Sequence, residues 1–379
     1  MFGNYTDDIQ LNFQINRAAV YGPEYMDMTE VRMLLPEIHD MSSWTQAWMK
    51  LAARAENEGR YRQATYYYRM AEFYIPDSSE EKDECYKKFR RCFEKGNEDE
   101  TIERFSIPYD GSYLPAMRIG KDNPKGVIVV HGGYDSFMEE FYPQITHFRD
   151  MGYTVIMFEG PGQGQARRNG LMFSYDWERP TGAVLDYFDL KDVTLMGISW
   201  GGYLAPRAAA FDKRIINVIC YDVFVSGLDP ILNKLTCRQA VMLKILLTVH
   251  AAPAINSILR RRMRGDLDLT WRVRHGMYIT GTGTPYDFLK SISFHDIEKC
   301  ADRITQNVLL LAGTEDMYVP LRRIDDMKKM LVNAASVTSY IFDAASGGAQ
   351  HCQIGNTALA ENAIKDFLGE YGQHGKIMQ

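Results

Sequence analysis

The chain has 379 residues, of which 46% are hydrophobic and 24% charged, with a net charge of −6 and a pI near 5.8. This is ordinary globular composition with ample material for a core, enough for one large domain and an accessory piece. The acidic balance excludes nucleic acid as the main partner, because no overall basic field would draw phosphate.

Met1-Phe-Gly-Asn-Tyr-Thr-Asp-Asp lacks the basic and apolar regions of a secretory signal. No run approaches the ~18 apolar residues of a spanning helix. The nearest, 240–259, is broken by Lys244, His250, Pro253 and Asn256. Six cysteines (85, 92, 220, 237, 300 and 352) form no C-x-x-C pair. Reduced cysteines in a cytoplasmic protein, with no metal, no cofactor and no membrane partner, are the expectation.

Residues 1–42 read as irregular structure with short helices, interrupted at Pro23 and Pro36. Ser43 is a fitting N-cap for a helix that Gly59 stops, and a second helix, 61–75, ends at Pro76. Trp48, Leu51, Ala52, Ala55, Ala64, Tyr68, Ala71 and Pro76 are spaced as in one tetratricopeptide-like pair, without a second copy. One such pair cannot bury its own apolar face, so it is expected to pack on the rest of the chain, with Tyr66-Tyr67-Tyr68 available to line a pocket. A third helix, 79–95, is heavily charged and reads as a solvated face.

Near residue 103 the period changes. Residues 103–109 and 112–119 flank Asp110-Gly111 as a β-hairpin. Strands follow at 126–130, 153–158, 193–196, 215–221, 307–312 and 336–342, with helices at 142–151, 181–187, 203–211, 321–333 and 356–369 between and after them. That alternation predicts an α/β fold with a mostly parallel, doubly wound sheet. Residues 223–300 interrupt it. Their 231–259 stretch is helical and apolar, and the basic run Arg260–Arg264 reads as a solvated helix end. The expected organisation is an N-terminal helical segment (1–102), a catalytic core (103–222 and 301–379) and a helical lid (223–300). Residues 43–95 and 231–259 both expose apolar surface, and both are expected to wall the pocket. A homodimer contact through 231–259 is the competing use of that surface.

The chemistry centres on Gly197-Ile-Ser199-Trp200-Gly201-Gly202, a G-x-S-x-G turn from strand to helix. It lifts the Ser199 hydroxyl clear of the backbone at a helix N-terminus, where N–H groups favour a developing oxyanion. The strand before residue 131 runs into His131-Gly-Gly-Tyr-Asp-Ser136. There the N–H of Gly133 or Tyr134 would join that of Trp200 in an oxyanion hole, with His131 shaping the loop. The strand at 307–312 ends in Gly313-Thr-Glu-Asp316, and the last strand precedes Gly347-Gly-Ala-Gln-His351. The order Ser199, Asp316, His351, each past a strand's carboxyl end, fits nucleophile, orienting acid and general base. Glu315 and Asp222 are alternative acids.

The chain resembles an α/β-hydrolase. Ile107-Pro-Tyr-Asp-Gly, His131-Gly-Gly-Tyr-Asp-Ser with Glu139-Glu140, and Phe158-Glu-Gly-Pro-Gly-Gln-Gly164 are similar to the group of fermentation/respiration-switch-like esterases, pseudooxynicotine-type hydrolases and polyketide-shortening C–C hydrolases. Glu159 stands where that group usually has aspartate. The resemblance implies a cofactor-independent serine hydrolase cleaving an ester or a ketone-adjacent C–C bond of a small to medium acyl substrate. An acyltransferase with the same triad, or a hydrolase-like receptor without turnover, are the alternatives.

Overall fold

The computed structural model describes residues 1–120 and 124–371. Five helices come first: α1 (Ile9–Ala19), α2 (Met28–Leu34), α3 (Met41–Asn57), α4 (Tyr61–Tyr74) and α5 (Glu80–Gly96). Then β1 (Glu103–Tyr109) and β2 (Ser112–Ile119) pair as the antiparallel hairpin across Asp110-Gly111. The alternating part follows as β3 (Val127–His131), α6 (Tyr142–Asp150), β4 (Thr154–Phe158), α7 (Gly164–Arg168), α8 (Glu178–Tyr187), β5 (Val193–Ile198), α9 (Gly201–Phe211) and β6 (Ile215–Tyr221). Five helices intervene, α10 (Asp229–Leu232), α11 (Cys237–Thr248), α12 (Ala252–Met263), α13 (Leu267–Thr280) and α14 (Pro285–Ile292). The chain closes with β7 (Asn307–Gly313), α15 (Arg323–Met330), β8 (Ser336–Phe342) and α16 (Thr357–Tyr371).

Among the described residues the strands form one sheet in the order β1-β2-β4-β3-β5-β6-β7-β8, antiparallel at β1-β2 and β2-β4 and parallel elsewhere. Every residue of β3, β4 and β5 is buried, as strands covered on both faces must be. Period-two alternation divides them: Val127, Val129, Leu195 and Val218 join the core on one face, while Ile128, Val130, Met196 and Ile219 join α6 and α16 on the other. Among the described residues no helix is long and apolar enough to cross a membrane.

The first forty residues are more ordered than their sequence suggests. Asp8 caps α1, which buries Leu11, Phe13 and Ile15 together with Gln10, Asn12, Gln14 and Asn16. The asparagine amides are satisfied by the incoming chain, since Asn12 and Asn16 both donate to the Gly3 carbonyl and accept from Tyr5 N–H and Gly3 N–H. Burial of these amides is tolerable because each finds a partner.

Two expectations for residues 43–95 need correction. α5 is not simply a solvated face: Cys85, Tyr86, Phe89, Cys92 and Phe93 recur at helical spacing and are buried under its charged side. The tyrosine cluster lines no substrate chamber. Tyr66 donates to the Glu140 carbonyl, Tyr67 to Glu30 and Tyr68 to Glu56, so each acts as a brace. Arg69, beside them, is buried against Glu72 and Glu140 and donates to the Asp135 carbonyl. The pair α3–α4 thus backs the 131–141 loop from behind. Arg69→Met should lower the unfolding free energy by about 3–5 kcal/mol, because it strips a partner from buried carboxylates. An unchanged urea midpoint in the purified variant would show that Arg17, Lys82 and Arg168 neutralise them unaided.

Candidate active site

Ser199 sits where β5 turns into α9, with φ at 61°, a left-handed value that a non-glycine residue adopts only when its surroundings impose it. The turn is packed too tightly for side chains around the serine. A Cβ on Gly202 would overlap the Asp222 carbonyl at the end of β6, and one on Gly133 would lie 2.6 Å from the Trp200 nitrogen. Those glycines let the 131–136 loop and the β6 end close on the serine from two sides.

The Ser199 hydroxyl lies 2.8 Å from His351 Nε2. On the far side of the ring, Nδ1 meets two carboxylates: Asp316 Oδ2 at 2.6 Å and Asp222 Oδ2 at 2.8 Å. The two acids are held differently. Asp316, past β7, accepts the Tyr318 and Val319 N–H groups on its other oxygen. Asp222, past β6, accepts the Cys352 N–H and the Gln353 side-chain amide. Cys352 and Gln353 both have positive φ (51° and 50°), so Asp222 also pins the strained loop that presents the histidine. Glu315 is exposed and accepts from the Gln350 amide, away from the imidazole.

Burial and charge pull these groups in opposite directions. Burial lowers the His351 pKa, but Asp316, Cys352 and Asp222 together raise it well above its ordinary value. Burial pushes Asp316 up, His351 pulls it down and the like charge of Asp222 pushes it up again, leaving it above the usual range. For Asp222 burial also pushes up, yet His351 and the donated hydrogen bonds win and hold it below that range.

Of the oxyanion candidates, Gly133 N–H is already used, donating to Ser136 Oγ at 3.1 Å. The N–H groups of Tyr134 and Trp200 have no acceptor among the described residues. Buried His131 donates from Nδ1 to the Gly132 carbonyl, and burial lowers its pKa to about 4, so it stays neutral and shapes the loop.

Several residues at the site take positioning roles that their place in the sequence does not disclose. Gln163, in the glycine-rich loop after β4, donates to both the Gly132 and Gly133 carbonyls at 2.8 Å and so fixes the 131–136 loop. Glu159 accepts the Met138 and Gln165 N–H groups, and burial together with Glu139 raises its pKa to about 7. Trp200 Nε1 donates to His295 Nδ1 at 3.1 Å, and burial lowers the His295 pKa to about 3, which keeps that nitrogen an acceptor. A polar residue that orients a backbone loop looks like any other glutamine or histidine until the loop is folded.

A chamber opens on Ser199 and His351. Phe13 and Tyr21 at its roof come from α1 and the segment after it, Trp200 and Phe224 from the sheet edge, and Trp271 and Arg272 from α13. Neither 43–95 nor 231–259 contributes a lining residue, contrary to expectation. Helices α3–α5 lie behind the loop instead, and the chamber's lining stops at Pro230, just before the 231–259 stretch.

A sequence model of the Alpha/beta hydrolase family matches residues 127–351. Hydrolase acrC of Aspergillus aculeatus is 25% identical over 98% of both chains. The 20-hydroxy-prefusarin hydrolase FUS2 of Gibberella moniliformis is 28% identical over 66% of this chain and 68% of its own. Among solved structures, AbyA5 superposes with a TM-score of 0.72 at 17% identity, covering 97% of this chain and 96% of its own. The 2,6-dihydroxy-pseudo-oxynicotine hydrolase gives 0.65 at 19%, with 94% and 95% covered. The family match runs from the first residue of β3 to the histidine facing Ser199, more than half of the chain. The chain belongs to the alpha/beta hydrolase family.

Proposed function

We propose that the protein is a cofactor-independent serine hydrolase that cleaves an ester or a ketone-adjacent C–C bond through an acyl-enzyme. The observation that carries this reading is the 2.8 Å contact between Ser199 Oγ and His351 Nε2, on an imidazole whose other nitrogen is held by Asp316 and Asp222. His351 Nε2 takes the hydroxyl proton as Oγ attacks the carbonyl carbon, and the resulting oxyanion accepts the Trp200 and Tyr134 N–H groups. Collapse expels the leaving alkoxide or enolate, which receives that proton from Nε2. Water then repeats the sequence on the acyl ester, releasing the acid and freeing Ser199. The chamber's aromatic walls suit a small to medium, largely apolar acyl compound.

A fluorophosphonate probe tests the reading. The folded enzyme should be labelled on the peptide carrying Ser199 and lose turnover in step with labelling. Persistent activity in fully labelled protein, or label on another residue, would remove the serine from the mechanism. Product masses from a panel of esters and β-diketones then identify the bond.

A further inference from the structure

Helix α11 is anomalous. It carries Ala240, Val241, Met242, Leu243, Ile245, Leu246 and Leu247, yet none of its residues is buried. Leu243 and Leu246 face a groove, whereas Val241, Ile245 and Val249 are 57%, 51% and 63% exposed. A helix apolar on all sides is stable only when something covers it. Its hairpin partner α12 is firmly seated, with Ile255 and Leu259 buried and Asn256 accepting the Tyr286 N–H.

The charge along the α11–α12 hairpin itself has one sign, the nearest acid in sequence being Asp266 at the start of α13. Between residues 233 and 265 there are seven lysines and arginines and no acid, in a chain whose net charge is −6. Arg238, Lys244, Arg260, Arg261, Arg262 and Arg264 are all exposed, and among the described residues none pairs with a carboxylate; only Lys234 does, with Asp268. That pattern argues against a second copy of the chain, since a two-fold contact would set these cations against their own equivalents. A surface that is both apolar and anionic accepts both features at once.

We infer that the α11–α12 hairpin docks the enzyme on an anionic lipid surface, with Val241, Ile245 and Val249 entering the headgroup region and the arginines meeting lipid phosphates and carboxylates. Lying on a bilayer is a different physical problem from spanning one, so the lack of a spanning helix is no obstacle. The placement also gives the docking a use. An open groove between α11, α12 and α13 is lined by Leu235, Met242, Leu246, Ile258, Leu259 and Leu269. It shares Pro230 and Arg272 with the chamber on Ser199. An apolar substrate dissolved in the membrane would reach the groove without crossing water. Docking itself requires no turnover, so its test stands apart from the serine mechanism.

The full-length protein is sedimented with vesicles of phosphatidylcholine alone and of phosphatidylcholine mixed with phosphatidylserine. It should bind the anionic vesicles, leave the neutral ones, and be released as salt rises from about 50 to 500 mM. The variant R238Q/K244Q/R260Q/R264Q should bind the anionic vesicles roughly a thousandfold more weakly, and Ile245→Ser/Val249→Ser should also bind more weakly. All these positions are exposed, so a melt matching the wild type shows that each variant is folded. Absence of binding to the anionic vesicles overturns the inference, as does undiminished binding by the folded charge variant. A concentration-dependent dimer that Val249→Asp dissociates would equally overturn it, by showing that a second copy covers the face.

Discussion

Ser199→Ala is expected to lower kcat/KM by about 10⁴–10⁶, the range for removing a nucleophile that acts as one unit with its base. It should leave the melting temperature unchanged. Alanine tolerates the same backbone no worse than serine, and the hydroxyl's one hydrogen-bonding partner, His351, keeps both carboxylates. Substrate affinity should also persist, because the aromatic chamber walls are untouched. Steady-state kinetics on the substrate chosen from the ester and β-diketone panel, with a thermal melt beside it, read all three. Full turnover by the folded variant would rule out Ser199 as nucleophile.

The second large effect belongs to the acids. In triads with one acid, its amide variant costs about 10⁴ in kcat, because the histidine is left in the wrong tautomer. Here two carboxylates reach the same Nδ1. Asp316→Asn should therefore cost only about 10²–10³, and the double variant Asp222→Asn/Asp316→Asn should reach about 10⁴. The pH profile separates the roles. His351 must be neutral to accept the serine proton, and its pKa is raised by Asp316 and Asp222. Removing either charge lowers that pKa, so the acidic limb of kcat/KM moves to lower pH in both single variants. An Asp222→Asn enzyme with an unmoved limb but a falling melting temperature would reduce Asp222 to an anchor of the 351–353 loop. If Asp222→Asn is instead the more crippled of the two, Asp222 is the principal orienting acid.

The core of the fold was legible because its signals are local. Strands such as 215–221 and 336–342 are short apolar or β-branched runs between turns, and the structure places both with the same bounds. Ser199, Asp316, His351 and Asp222 were legible for a related reason: each follows a strand, and parallel strands deliver their carboxyl ends to one edge. What was not legible depends on distant partners. Residues 9–16 alternate apolar and polar like a half-buried strand, yet form a helix because Gly3 and Tyr5 satisfy its asparagines. The apolar stripe of α3–α4 correctly demanded a partner, but nothing in its period specified the back of the 131–141 loop instead of the chamber. Which of Gly133 and Tyr134 keeps an unengaged N–H turns on Ser136 taking up one of them, which is a matter of ångströms.

The roof contributed by α1 has a consequence for how the molecule comes into being. Gln10 accepts a hydrogen bond from the Tyr318 hydroxyl across 308 positions of chain, and Phe13 packs against Tyr318 and His351. The α1 segment must therefore wait for one synthesised 308 positions later before either has its neighbour. Joining ends so far apart costs little extra free energy, since closure entropy grows only with the logarithm of length, but it takes time. The sheet can be complete while the chamber is still roofless, with its histidine wetted and any acyl-serine open to bulk water. Shape and selectivity are then acquired at different moments in the life of one polypeptide.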